Sequence, residues 1–94
     1  MDLGLQDRVA LVTGASSGIG FGIAQALAAE GAGVAISSPT RERIEAAAEK
    51  IGARAYVHDS KDLDGAPKLI DQVEADLGPL SVLVLNTGGP PGGG

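Results

Sequence analysis

The chain has no cysteine and no tryptophan, a single histidine (His58) and only two aromatic residues, Phe21 and Tyr56. Each shortage closes a class of function. Without cysteine there is no disulfide framework, no thiolate metal site and no cysteine nucleophile. One histidine excludes a histidine-rich metal centre. Two aromatics are too few for the stacking platforms on which single-stranded nucleic acids lie. Cations are also scarce. Seven Lys and Arg against twelve Asp and Glu leave a net charge of −5, which argues against a binder of phosphate backbones. No apolar run approaches the roughly 18 residues of a membrane span. The opening MDLGLQDR is acidic and lacks a hydrophobic stretch, so it does not read as a signal peptide. The expectation is a soluble cytoplasmic protein whose partners include neither nucleic acid nor a membrane.

The chain is instead rich in aliphatic residues and glycine: 44% of its 94 residues are hydrophobic and 15 are glycine. It is one domain at most. At this size a compact fold buries a little over about 60% of its unfolded surface, so the core is modest. Short apolar runs alternate with helix-like stretches. Residues 8–13 (RVALVT) are too short for a helix and read as a buried strand ended by Gly14. Residues 18–30 carry Ile19, Ile23, Ala26, Leu27 and Glu30 at helical spacing, and Gly31 is a natural stop. A second strand covers 33–37, punctuated by Ser38-Pro39-Thr40. Thr40 is placed to cap a helix over 41–51, with Ile44, Ala47, Ala48 and Ile51 on one face and Gly52 at its end. A third strand spans 53–57. A third helix spans 66–77, with Pro67 in its first turn and Leu69, Ile70, Val73 and Leu77 facing inward. LSVLVLN, 80–86, is a fourth strand and the most apolar segment; the closing GGPPGGG has no regular structure. Strands alternating with helices imply crossover connections, parallel strands and helices on both faces. The fold class expected is a doubly wound, Rossmann-type α/β sheet, partial, of about four strands and three helices in the strand order 3-2-1-4.

The stretch Thr13-Gly14-Ala15-Ser16-Ser17-Gly18-Ile19-Gly20 lies in the turn from the first strand to the first helix. There a fold of this class holds a pyrophosphate, on backbone N–H groups exposed at a helix N-terminus and with no side chain in the way. Gly14 permits the tight turn, Gly18 lets phosphate approach the backbone, and Gly20 lets the helix pack on the sheet. Ser16 and Ser17 add hydroxyl donors, and Ile19 is counted with the loop. The strand before and the helix after supply the context that a glycine-rich match needs. The competing reading is a tight turn that binds nothing.

TGASSGIG resembles the TGxxxGxG signature of the short-chain dehydrogenase/reductase family, which uses NAD or NADP. Two further segments agree with that resemblance. Asp59-Ser60, after the third strand, resembles the family's Asp-hydrophobic pair at the adenine ring, where a carboxylate accepts from the adenine amino group and the next N–H donates to the ring. Taken alone, Asp59 reads as a turn or capping residue. Leu85-Asn86-Thr87-Gly88 resembles the family's Asn-Asn-Ala-Gly, with Asn86 on its second asparagine and Leu85 and Thr87 departing from it. Asn86 is also suited to tying neighbouring strands together. The resemblance implies cofactor contacts from Asn86 and Gly88. It also implies a homo-oligomeric full-length protein.

The family's catalytic arrangement resembles a Ser with a Tyr-x-x-x-Lys. Here Tyr56 is followed four residues on by Ser60, not lysine, and it sits in an expected strand where packing is the simpler role. The chain therefore reads as the N-terminal, cofactor-binding part of an oxidoreductase. Residues 1–87 form the dinucleotide-binding portion, and 88–94 a flexible connector towards an absent catalytic half. A stand-alone dinucleotide-binding module or a degenerate fragment is the alternative. His58 beside Asp59 invites a catalytic dyad, but no serine nucleophile is placed for it. At the end of the second strand, Ser37-Ser38-Pro39-Thr40-Arg41 contains no carboxylate to hold a ribose 2′-hydroxyl. A 2′-phosphate would meet hydroxyls, that of Ser38 among them, and Arg41 or Arg43. This favours NADP, with NAD still open. The basic residue common in the family's glycine loop is replaced by Ser17, and Arg41 is equally suited to be a solvated residue of the first helical turn.

Overall fold

A computed structural model describes residues 6–86. Thr87, Gly88 and the connector expected over 88–94 lie outside the described residues. The elements run β1 (Val9–Thr13), α1 (Gly18–Ala29), β2 (Gly33–Ser38), α2 (Arg41–Ile51), β3 (Arg54–Val57), α3 (Ala66–Leu77) and β4 (Val82–Val84). The four strands form one parallel sheet in the order β3-β2-β1-β4, as the alternating pattern implied. Leu11 of β1 stands level with Ala35 of β2 and Leu83 of β4.

Because strand side chains alternate between faces, the sheet sorts its apolar residues into two layers. Val12, Val34 and Ile36 face α1 and α2, where Ala24, Ile44, Ala47 and Ala48 complete a core. Val9, Leu11 and Ala35 face α3 and meet Leu69 and Val73, with Tyr56, Ile70, Leu77 and Leu80 around them. All five residues of β1 are buried, as befits a strand covered on both sides.

Three local expectations are corrected. First, Ile19 and Ala26 do not face the core: Ile19 is 74% exposed, whereas Gly20 and Ala24 are the buried residues of α1. Close packing of the helix on the sheet selects the smallest residues for the contact, so hydrophobicity alone misplaces the face. Second, Thr40 occupies the N-cap position of α2 with extended backbone but makes no side-chain cap. Its own N–H instead donates to Ser38 Oγ at 3.4 Å. Third, the fourth strand is regular only over Val82–Val84 and is half-buried, with Leu83 and Leu85 exposed. Asn86 leaves the ladder because its backbone bonds the Thr13 side chain. Gly52 ends α2 in the left-handed conformation that glycine tolerates, and Pro67 sits in the first turn of α3, both as expected.

Candidate functional site

The loop from β1 to α1 lies at the C-terminal edge of the sheet. Gly14 (φ 59°) and Gly18 (φ 67°) both take left-handed backbone, which a side chain resists. Between them Ser17 is extended, and its hydroxyl makes no capping bond to the helix. No acidic residue stands in the first turn of α1, so nothing of the helix's own competes for the positive end of its dipole. A Cβ built on Gly18 would meet nothing within 4 Å, so the space above that backbone is open. A Cβ on Gly20 would lie 2.6 Å from both Asn86 Nδ2 and Gly14 O. Gly20 is thus the close-packing glycine, and Gly18 the open one.

Side chains of β1 and β4 hold this loop in place. Asn86 N–H donates to Thr13 Oγ1 at 2.9 Å, and the Thr13 hydroxyl donates back to Asn86 O at 2.9 Å. The Asn86 side-chain amide donates to Gly14 O at 2.8 Å, tying the end of β4 to the first loop glycine. Ser60 Oγ donates to Asn86 O at 3.1 Å, drawing the end of β3 in as well. Asn86 therefore ties strands together, as one of its two readings required. Thr13 was given no role by the motif, because its partner lies 73 residues away in sequence.

The other expected residues surround this frame. Ser38 is buried at the end of β2, and its hydroxyl donates to Thr40 O at 3.3 Å. Asp59 is exposed, and its Oδ1 accepts from Lys61 N–H at 2.9 Å, a turn contact that leaves Oδ2 available. His58 N–H donates to Ser38 O at 2.9 Å. The His58 ring walls an apolar groove of about 230 Å³ on the α3 side, between Ser60, Leu83 and Leu85. Arg41 pairs with Glu45 at 3.5 Å on an exposed face of α2. Arg43 and Lys50 instead turn towards the loop, where they share a cleft with Ser16, Ser17 and Gly18. Gly88 lies outside the described residues.

Tyr56 is elsewhere engaged. Its hydroxyl donates to Asp76 Oδ2 at 2.7 Å, and Arg54 Nε lies 3.6 Å from the same oxygen. Partial burial and the Asp76 carboxylate push the Tyr56 phenol up to about 12. The hydrogen bonds from Tyr56 and Gln72 hold the Asp76 carboxyl below its usual range.

A parallel sheet in this order, with a glycine-rich turn between its first strand and first helix, defines a Rossmann-type α/β fold. The chain belongs to the short chain dehydrogenase family, whose family model matches residues 8–93. It is 40% identical over 89 residues to sorbose reductase SOU1 of Candida albicans, covering 89% of this chain and 32% of that protein. It is also 40% identical over 88 residues to the NADP-dependent (R)-specific alcohol dehydrogenase of Lentilactobacillus kefiri, covering 89% of this chain and 35% of that protein. The crystal structure of L-sorbose reductase from Gluconobacter frateurii, complexed with NADPH and L-sorbose, matches with a TM-score of 0.80 and 34% identity. That match covers 95% of this chain and 36% of the other. The chain thus spans about a third of the length of the relatives it matches.

Proposed function

We propose that this chain is the cofactor-binding part of an NAD(P)-dependent oxidoreductase that moves hydride between a nicotinamide cofactor and a carbonyl or alcohol. The β1–α1 loop carries the reading: two left-handed glycines, open space over Gly18, and a helix N-terminus free of acidic residues. The N–H groups of Gly18, Ile19 and Gly20 would hold the pyrophosphate, with the Ser16 and Ser17 hydroxyls beside them. Asp59 would accept from the adenine amino group through the oxygen not engaged by Lys61, and Ser60 N–H would donate to the ring. Asn86 would keep the loop in register, and the family resemblance implies a cofactor contact from Gly88. The β2 end has no carboxylate for a 2′-hydroxyl, which favours NADP; two of the similar proteins are NADP-dependent or bound to NADPH by name.

When bound, the nicotinamide ring supplies or accepts the hydride. The accompanying proton needs an acid–base group within reach. Tyr56 is ill suited, because its hydroxyl is committed to Asp76 and its pKa is moved up, away from neutrality. The 94-residue chain alone is therefore expected to turn over no ketone or alcohol. The same observation favours the second reading, a dinucleotide-binding module without catalysis. Among the described residues no helix is long and apolar enough to cross a membrane; a cytoplasmic location is part of the same proposal. The family resemblance carries the proposal that the whole protein is a homo-oligomer.

Calorimetric titration with NADPH and NADH tests this reading. The parent chain should bind, and Gly18→Val, checked for folding by circular dichroism, should not. Unchanged affinity in a folded variant would make the loop a structural turn only. Turnover of nicotinamide absorbance that disappears with Tyr56→Phe would overturn the assignment of this chain as non-catalytic.

A further inference from the structure

β3 and β4 stand at opposite edges of the sheet, with β2 and β1 between them. The chain leaving β3 nevertheless reaches the end of β4. His58 N–H donates to Ser38 O at 2.9 Å, at the end of β2. Two residues on, Ser60 Oγ donates to Asn86 O at 3.1 Å, just past β4. Residues 58–60 therefore form a strap across the C-terminal edge of the sheet, with the exposed Asp59 between its two anchors. The first anchor joins backbone to backbone and survives any substitution at His58 except proline. The second depends on one hydroxyl, at a position where the family resemblance expects a hydrophobic residue. The Asn86 carbonyl takes hydrogen bonds from Thr13 and Ser60 together, which uses both of its lone pairs.

We propose that Ser60 is a positioning residue for the adenine contact: its side-chain hydroxyl holds the strap so that Asp59 presents a carboxylate oxygen to the adenine amino group. This rests on the reading of the chain as a dinucleotide site. Asp59 does not order itself against the sheet. Its side chain is exposed, and the hydrogen bond it accepts from Lys61 N–H at 2.9 Å lies within its own turn. That bond fixes the carboxylate relative to the turn alone. Ser60 connects the turn to the sheet, through a carbonyl that Thr13 of β1 also holds. The same tie acts on a second group. With its side chain bonded to Asn86, the Ser60 peptide is held too, and its N–H, which has no partner among the described residues, is the donor the resemblance implies at the ring. Without the tie, an exposed turn would be ordered only by the ligand, at a cost in affinity.

The test titrates the 94-residue chain, Ser60→Ala, Ser60→Val and Ser60→Thr with NADPH and with its deamino analogue. The analogue's ring carries a carbonyl and an N–H where adenine has its amino group and a bare nitrogen, so it forfeits both contacts. Circular dichroism checks that each variant is folded. The parent should prefer NADPH by about tenfold. Ser60→Ala and Ser60→Val should weaken NADPH by about three- to tenfold and leave the deamino analogue nearly unchanged, so that the preference collapses. Ser60→Thr, which keeps a hydroxyl, should retain it. Variants that weaken both dinucleotides alike would make Ser60 a structural tie only and overturn the proposal. So would an unchanged preference in Ser60→Ala and Ser60→Val, or a Ser60→Thr chain that behaves as they do. Equal binding of the two dinucleotides by the parent would overturn it as well. In each of those cases the dinucleotide reading survives. A parent chain that binds neither would overturn both.

Discussion

Replacing Gly20 with alanine sets two opposed effects against each other, and the structure decides between them. Alanine in place of a helical glycine ordinarily gains about 0.5–1 kcal/mol of backbone entropy. At Gly20, however, the new Cβ would lie 2.6 Å from Asn86 Nδ2, 2.6 Å from Gly14 O and 3.1 Å from Ala15 Cα. The first two atoms are the ends of one hydrogen bond, 2.8 Å long. Relief therefore means both breaking that bond, at about 1 kcal/mol, and moving a left-handed backbone turn, with overpacking costs of about 1–3 kcal/mol. Together these exceed the gain, and a net loss of about 1–3 kcal/mol is expected. For a domain of this size that lowers the melting temperature on the order of 10 °C. Gly22 is the internal control. It lies in the same helix, and a Cβ there meets nothing within 4 Å, so Gly22→Ala should stabilise by about 0.5–1 kcal/mol. Urea and thermal unfolding followed by circular dichroism read both variants. In the Asn86→Ala background, Gly20→Ala should cost less, since one of its clashes is gone. A Gly20→Ala chain as stable as Gly22→Ala would refute the close packing of helix, loop and β4.

Ile44 is fully buried between α2 and the sheet, so Ile44→Ala should cost about 2–5 kcal/mol in urea unfolding, while an unchanged midpoint would displace α2 from the core. Tyr56 should titrate near 12 by its ultraviolet absorbance. Its raised folded pKa means that the associated stability is complete below the unfolded value of about 10 and is lost as pH rises through 12. A phenol titrating near 10 in the folded chain would contradict the Asp76 hydrogen bond. Leu85 is 75% exposed and walls the apolar groove beside β4, and no strand pairs with the far side of β4 among the described residues. The chain should therefore self-associate in sedimentation runs, and Leu85→Lys should reduce it. Lysine at Val84, which packs against the α1–α2 core, should destabilise instead. A strictly monomeric parent would show the edge to be protected.

Much of this fold is legible in the sequence. The parallel order follows from strand–helix alternation, and the inward stripes of α2 and α3 follow from a clear apolar period. The glycine motif places Gly20 at the helix–sheet contact, but the apolar period misses Ala24, which carries little hydrophobic signal beside Ile19. Sequence reasoning also fails where a polar side chain replaces a ladder bond. Nothing local announces that Thr13 will exchange hydrogen bonds with Asn86, and that exchange shortens β4. Composition does not separate the surroundings of Arg41 and Arg43, but the helical period does. Residues 43, 47 and 50 share a side flanking the buried Ile44, whereas 41 and 45 share another, where they pair. Asp59 makes the turn contact of its simpler reading, accepting from Lys61 N–H through one oxygen.

The central claim is that backbone N–H groups at the start of α1 receive the pyrophosphate of a nicotinamide dinucleotide. Amide chemical shifts of the ¹⁵N-labelled chain, followed as NADPH is added, test it most directly. The account expects the largest, saturable shifts at Ser17, Gly18, Ile19 and Gly20, with smaller ones at Arg43, Ser60 and Asn86. Saturable binding that leaves those four amides unmoved and instead shifts the groove around Leu63, Leu69 and Leu83 would contradict it.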